Sequence, residues 1–287
     1  MDAFHSKARR DRLPALPSIV PITDPDDPRI EVYRHVRERD LVGRRGEFIA
    51  EGEVVLRVLL GPDCRHSASS LLIADKRLEH LGPLIEALPP EVPVYAAAEA
   101  VMDAIVGFNI HRGILAHGLS APAIDPAALL TGLGARALVL GLFGIANHDN
   151  MGGLFRNAAA FGVDAVLLDE ASCDPLYRKA IRTSVGAALK VPFARLTGEE
   201  PLELLHRAGF TALALSPQGA EPVAGLRRPD RAVVLLGAEG EGLPENLLRR
   251  ARGLAIPMTP GWDSLNVATA SAIILYELTH GGAAMSV

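Results

Sequence analysis

Apolar and polar positions along the chain fall into two alternating series, separated by a stretch of small residues and prolines at 120–135. In the first series, Ile30, Tyr33 and Val36 recur at helical spacing and predict a helix over 30–39. Strands are predicted at 47–52, 70–75, 92–97 and 112–118. Helices are predicted at 53–60, stopping at Gly61-Pro62, and at 77–88 and 98–108. The second series opens with an apolar strand at 137–143 and continues with strands at 165–169, 211–216 and 232–238. Its helices are predicted at 152–162, 177–189, 202–209 and 267–280, with Gly281 as the stop of the last. Near-continuous apolar strands alternating with helices imply a parallel sheet covered on both faces.

These patterns divide the chain into four parts. Residues 1–28, rich in proline and charge, read as a loosely ordered extension. Residues 29–120 form a small α/β unit, 121–134 a linker, and 135–287 a second α/β domain.

Composition narrows the function classes. With 49% hydrophobic residues, the 287-residue chain has apolar material for real cores, which excludes wholesale disorder. The 29 basic residues are outnumbered by 34 acidic ones, so any nucleic-acid contact rests on local basic patches. Cys64 and Cys173 are the only cysteines, which excludes a disulfide scaffold and a cysteine zinc site. The nine histidines show no ligand spacing, so no metal is expected. His111 and His117 flank a strand as ordinary histidines. No apolar run reaches membrane-spanning length, and Pro14, Pro17 and Pro21 interrupt the start, so a cytoplasmic protein without a membrane partner is expected.

Three Gly-rich or polar corners follow strands of the second series, where open α/β sheets bind ligands. The first, 147–162, runs from a polar turn at Asn147 to Asn150 into a helix expected to open at Gly152-Gly153, with Arg156 on the side of Ala159 and Ala160. A surface arginine beside a capped helix is the plainer alternative. The second, 233–244, places Gly237, Gly240 and Gly242 around Glu239. Its GxxGxG spacing matches neither a P-loop nor the dinucleotide fingerprint, and an ordinary loop remains open. The third, 256–278, carries Ile256-Pro257-Met258, the single tryptophan Trp262, and Ser264 and Asn266 before an apolar helix. There, Asp263 or Ser264 as a simple helix cap is the alternative. No GxSxG elbow gives Ser264 a hydrolase context.

Taken together, the three corners resemble the motifs of the SpoU branch of the SPOUT methyltransferases, the RNA ribose 2′-O-methyltransferases. Asn150, Gly152, Arg156 and Ala158 match the first motif. Gly237, Glu239 and Gly242 match the second. Ile256, Pro257, Met258 and the run Ser264 to Val267 match the third. Arg182, Ser184 and Gly186 resemble the family's mid-domain helix. The sequence departs from the usual pattern at His148-Asp149, Pro260 and Ala268. Residues 30–119 resemble more loosely the accessory domain akin to kink-turn-binding ribosomal proteins, on Phe48, Glu51-Gly52 and 111–116.

The resemblance implies a deep trefoil knot in the C-terminal domain, S-adenosylmethionine as cofactor, and a homodimer with its active site near the subunit interface. It implies a ribose 2′-hydroxyl in structured RNA as the acceptor, with ribosomal RNA favoured over transfer RNA. A non-catalytic RNA-binding assembly factor and a nucleotide-dependent enzyme of another class stand as rivals. Arg156 would stabilise the reacting oxygen, Asn150 would orient Arg156 or the ribose, and Glu239 would hold Arg156 or a substrate hydroxyl. Ser264 and Asn266 would bind the nucleotide. Leu215, Ser216, Leu236, Gly237, Gly242, Ile256, Met258 and Leu265 would hold the cofactor. Arg178, Lys179, Arg182, Arg227, Arg228, Arg249, Arg250 and Arg252 are the candidate phosphate contacts.

Overall fold

The computed structural model describes residues 18–34, 41–106, 113–198, 200–262 and 264–281, which build two sheets. The first contains β1 (Ile19–Ile22), β2 (Glu47–Glu51), β3 (Ser67–Ala74), β4 (Val94–Ala97) and β5 (Ile114–Leu119), in the order β1-β4-β3-β5-β2. Helices α1 (Glu53–Leu59), α2 (Leu78–Glu86) and α3 (Glu99–Val106) connect them. β1, β4 and β3 are parallel, and β5 is antiparallel to β3 and β2.

Two expectations change here. The extension assigned to 1–28 contributes β1, and residues 1–17 lie outside the described residues. Pro21 is tolerated because β1 is an edge strand, where a missing N–H costs no ladder bond on the open side. The helix expected over 30–39 is a 3₁₀ segment at Pro28–Tyr33, started by Asp27 accepting from Arg29 N; residues 35–40 lie outside the described residues.

The second half begins earlier than expected. Within the supposed linker, Asp125 caps α4 (Pro126–Gly132), accepting from Ala128 N at 2.8 Å, with Pro126 at the first helical position. Leu130 is fully buried against the second sheet. There follow β6 (Ala137–Leu142), α5 (His148–Ala160), β7 (Ala165–Leu168), α6 (Arg178–Thr183), β8 (Phe193–Arg195) and α7 (Pro201–Arg207). β9 (Thr211–Leu215), β10 (Glu221–Pro222), β11 (Arg231–Leu236), α8 (Glu245–Arg250), β12 (Arg252–Ala255) and α9 (Val267–His280) complete the chain. The strand order is β10-β12-β9-β11-β6-β7-β8, and every pair is parallel.

This sheet is apolar on both faces because both are covered. Met151, Leu154 and Phe155 of α5 pack with Ile274, Leu275 and Leu278 of α9 on one side. Leu130, Leu202, Leu205 and Leu247 from α4, α7 and α8 close the other. The chain leaves β6 toward β7 and leaves β11 toward β12 across β9, so the loops after β6 and β11 diverge. A crevice at the carboxyl ends of such strands is the geometric result.

The helix expected over 177–189 is broken. α6 ends at Thr183, and Val185 and Gly186 take φ of 55° and 85° before a short 3₁₀ turn at Ala187–Leu189. The break seats the first half on the second. A Cβ at Gly186 would stand 3.0 Å from Val58 of α1. Leu176, Ile181 and Leu189 join Phe48, Leu56 and Leu71 in one core. Arg182 pairs with the buried Glu51 at 3.2 Å. No described helix is long and apolar enough to cross a membrane.

Candidate active site

The first corner is organised by Asn147. Its side chain accepts from Asp149 N and Asn150 N, so α5 starts at His148, one full turn before the glycine pair. Gly152 and Gly153 do not open the helix; they let its neighbours approach. A Cβ at Gly152 would lie 1.8 Å from Thr183 Oγ1 of α6, and one at Gly153 would lie 2.8 Å from Ala268 Cβ of α9. Asn157 fastens the same contact, donating to Ala268 O at 2.6 Å and Ser271 Oγ at 2.8 Å. The preceding loop is held by Asp169, which accepts from Gly144 N at 3.0 Å, and by Ser172 Oγ, which accepts from Ile145 N at 3.0 Å.

The second corner is a closed turn. Gly242 N donates to Ala238 O at 3.0 Å, and Gly240 and Gly242 take φ of 91° and 71°. A Cβ at Gly237 would fall 2.1 Å from the Gly242 carbonyl carbon and 2.3 Å from Leu243 N. Gly237 is therefore required for the loop to close on itself.

In the third corner Asn266 is the cap of α9. Its Oδ1 accepts from Ala268 N at 3.0 Å and Thr269 N at 3.3 Å. Ser264 lies two residues before this cap, and Asp263 lies outside the described residues.

One residue from each corner meets the other two. Asn150 Nδ2 donates to Glu239 Oε1 at 2.7 Å. Asn266 Nδ2 donates to Asn150 Oδ1 at 2.8 Å and to Glu239 Oε1 at 3.0 Å. One carboxylate oxygen thus takes both amides, which fixes the Glu239 side chain and leaves Oε2 for a further donor.

Behind this cluster is a cleft of about 650 Å³, within the range of small-molecule sites. Leu215, Ser216, Leu236, Gly237, Gly242, Ile256, Met258 and Leu265 all line it, as do Glu239, Ser264 and Asn266. Asn150 reaches it through Glu239 and Asn266. Gln218, Glu241, Val267 and Ala270 also line it and were not among the expected residues. Glu241 lies in the same short Glu-Gly-Glu-Gly run (239–242) as Glu239, a repetition that could have drawn attention to it. Among the described lining residues the only charges are Glu239 and Glu241.

Arg156 does not join this group. It is exposed on the outward face of α5 with Ala159 and Ala160, and it does not line the cleft. The expected phosphate contacts are largely engaged elsewhere. Lys179 pairs with Asp149, Arg182 with Glu51, Arg249 with Glu245, Arg250 with Glu200 and Glu203, and Arg252 with Glu221. Cys173 has no activating surroundings: burial, with Asp174 nearby, pushes its thiol up to about 11.

Comparison with known proteins follows the same corners. The model of the SpoU rRNA Methylase family matches residues 137–276. A tRNA/rRNA methyltransferase of Mycobacterium bovis, itself described as uncharacterized, is 39% identical over 273 residues, spanning 91% of this chain and 92% of its own. Among solved structures, an AdoMet-bound rRNA methyltransferase from Sinorhizobium meliloti shares the fold with a TM-score of 0.74 at 24% identity, covering 90% of this chain and 97% of its own. An RNA 2′-O ribose methyltransferase does so with a TM-score of 0.73 at 23% identity, covering 90% and 97%. By its C-terminal corners and its near full-length relatives, the chain belongs to the SpoU family of RNA methyltransferases.

Proposed function

We propose that this chain transfers a methyl group from S-adenosylmethionine to a ribose 2′-hydroxyl of structured RNA, with ribosomal RNA ahead of transfer RNA, and that it works as a homodimer. The observation that carries this is the meeting of Asn150, Glu239 and Asn266 at the mouth of one cleft. The cleft suits the donor. Its described lining is apolar or backbone with two carboxylates and no Lys or Arg, which accommodates a sulfonium and disfavours polyphosphate cofactors. This argues against a nucleotide-dependent enzyme of another class. The S. meliloti neighbour holds AdoMet on a similar fold.

When bound, the donor supplies an electrophilic methyl group. Leu215, Leu236, Ile256, Met258 and Leu265 would pack on its apolar parts, and the Gly237–Gly242 loop would offer backbone groups. Glu239 Oε2, its partner oxygen already anchored, would accept a hydrogen bond from the ribose hydroxyl and orient the oxygen, the proton itself leaving to water. Ser264 would contact the nucleotide. Arg156, a guanidinium charged at all ordinary pH, would stabilise the oxygen as it becomes anionic.

Arg156 is exposed and does not line its own cleft, and a second copy would resolve the separation. Ala159, Ala160 and the Tyr276–His280 stack beside Phe161 give α5 and α9 a surface on which a partner would dock. The partner's Arg156 would then serve this cleft. The convergence of the loops after β9, β11 and β12 is also what a knotted C-terminal segment would produce. The first half, with its own mixed sheet, would choose the RNA by shape.

The test is incubation of the purified protein with labelled donor and RNA from a strain lacking it, followed by mapping of ribose methylation. A methylated ribosomal nucleotide is expected. Methylation of transfer RNA alone would move the substrate. RNA binding without any transfer would favour the assembly-factor rival.

A further inference from the structure

Glu241 is the one charged group of the cleft that the hydrogen-bond network does not use. Glu239 is held by two amides, whereas among the described residues no hydrogen bond or ion pair engages the Glu241 side chain. The backbone that carries it is nonetheless held. Gly240 and Gly242 on either side take φ of 91° and 71°, and the Ala238–Gly242 bridge closes the turn around it. Glu241 is exposed on the wall of a partly apolar cleft whose described lining holds no Lys or Arg, so solvent and salt screen its field but no counter-charge cancels it.

Resting on the donor assignment above, we propose that Glu241 is a specificity-determining residue that makes the cleft read the charge of its small ligand, holding the cationic donor more tightly than the product. In the transfer the C–S bond breaks as the C–O bond forms. The electron pair stays on sulfur, which turns from a positive sulfonium into a neutral thioether, and the hydroxyl proton passes to water. Donor and product then differ by one methyl group and one unit of charge. An apolar pocket separates a methyl group weakly, so charge is the larger handle. The consequence is release of the spent product and relief of product inhibition.

The test is calorimetric titration of wild type, Glu241→Gln and Glu241→Asp with S-adenosylmethionine and with S-adenosylhomocysteine, at low and high salt. Wild type should prefer the donor, and this preference should shrink as salt rises. Glu241→Gln should lose roughly twofold to fivefold in donor affinity, the range for an exposed charge, with product affinity unchanged. Glu241→Asp should keep the preference. An equal donor-to-product ratio in wild type and Glu241→Gln overturns the proposal and leaves the donor assignment standing. Loss of the preference in Glu241→Asp with a lowered unfolding temperature would make the effect one of loop shape and overturn it too. Failure of wild type to bind either ligand would remove the donor assignment itself.

Discussion

Two polar clusters of similar hydrogen-bond quality occupy the two halves of the molecule, and they differ in what lies beyond them. In the first half, Tyr33 Oη and Ser70 Oγ are 2.7 Å apart, and Tyr33 also accepts from His117 N at 3.3 Å. His117 Nδ1 lies 2.7 Å from Ser69 Oγ, and its other nitrogen is 3.4 Å from Glu47. Judged by residue types alone, this Ser–His–Glu grouping is the more suggestive of chemistry. Yet Tyr33 and His117 are buried, His117 within β5 itself, and burial holds the Tyr33 phenol well above its usual range and His117 below its own. In the second half, Asn150, Glu239 and Asn266 are chemically plainer but come from three separate corners and front a cleft. Convergence of separate segments on a concavity marks a site; hydrogen bonds closed off from solvent mark an interior.

The comparison breaks most severely at Gly237→Val. The new side chain would overlap the Gly242–Leu243 backbone, so the second corner could not close. Donor binding should vanish and stability fall by about 3 kcal/mol, read by calorimetry and thermal unfolding. Undiminished binding would show that the corner is not part of the site.

Arg156→Ala should lower transfer about 10²–10³-fold while leaving donor affinity and unfolding temperature nearly unchanged, since the side chain is exposed and outside the cleft. Mixed with an inactive Glu239→Ala protomer, it should recover activity, because one cleft in the hybrid then has both groups. No recovery would place Arg156 and Glu239 in the same subunit's site.

The first-half cluster gives the opposite pattern. Tyr33→Phe should cost about 1 kcal/mol of stability, by stranding Ser70 and the His117 amide, with no change in donor affinity. A changed affinity would mean that the two clusters are coupled.

The first half should also be sensitive to acid. Burial, with Arg65 beside it, pushes His66 down to about 4. In the unfolded chain it would titrate near its ordinary value, so between pH 6.5 and 4 the unfolded state binds more protons and stability falls as pH falls. Unfolding temperatures measured across that window should decline, and His66→Gln should flatten part of the decline. An identical slope in the variant would remove the assignment.

Much of this was legible in the sequence. Periodicity located most strands and helices, because apolar runs and their Gly or Pro stops are local signals. What escaped it depended on tertiary contact. β1 hid among prolines that only an edge position tolerates. α4 hid in a small-residue stretch although Asp125-Pro126 was a fair start signal. The start of α5 was misplaced because Gly152 and Gly153 look like a helix opening, when their role is to admit Thr183 and Ala268. β8, β10 and α8 are too short to show a period. The eleven cleft-lining residues were reached through the motif resemblance, since no single corner distinguishes a binding loop from an ordinary one. Arg156 could not have been separated from the others by spacing, because its motif also contains buried Asn150.

The core shared by the two halves has a consequence for how such proteins diversify. Leu176, Ile181 and Leu189 reach into the apolar interior of the front half, and Glu51 takes its charge partner from the back half. A graft of a foreign front module would inherit three stranded leucine and isoleucine side chains and an orphaned arginine. Shuffling at this junction therefore has to rewrite both sides of the seam together, and chimeras cut at residue 120 should express as aggregates unless those seats are rebuilt.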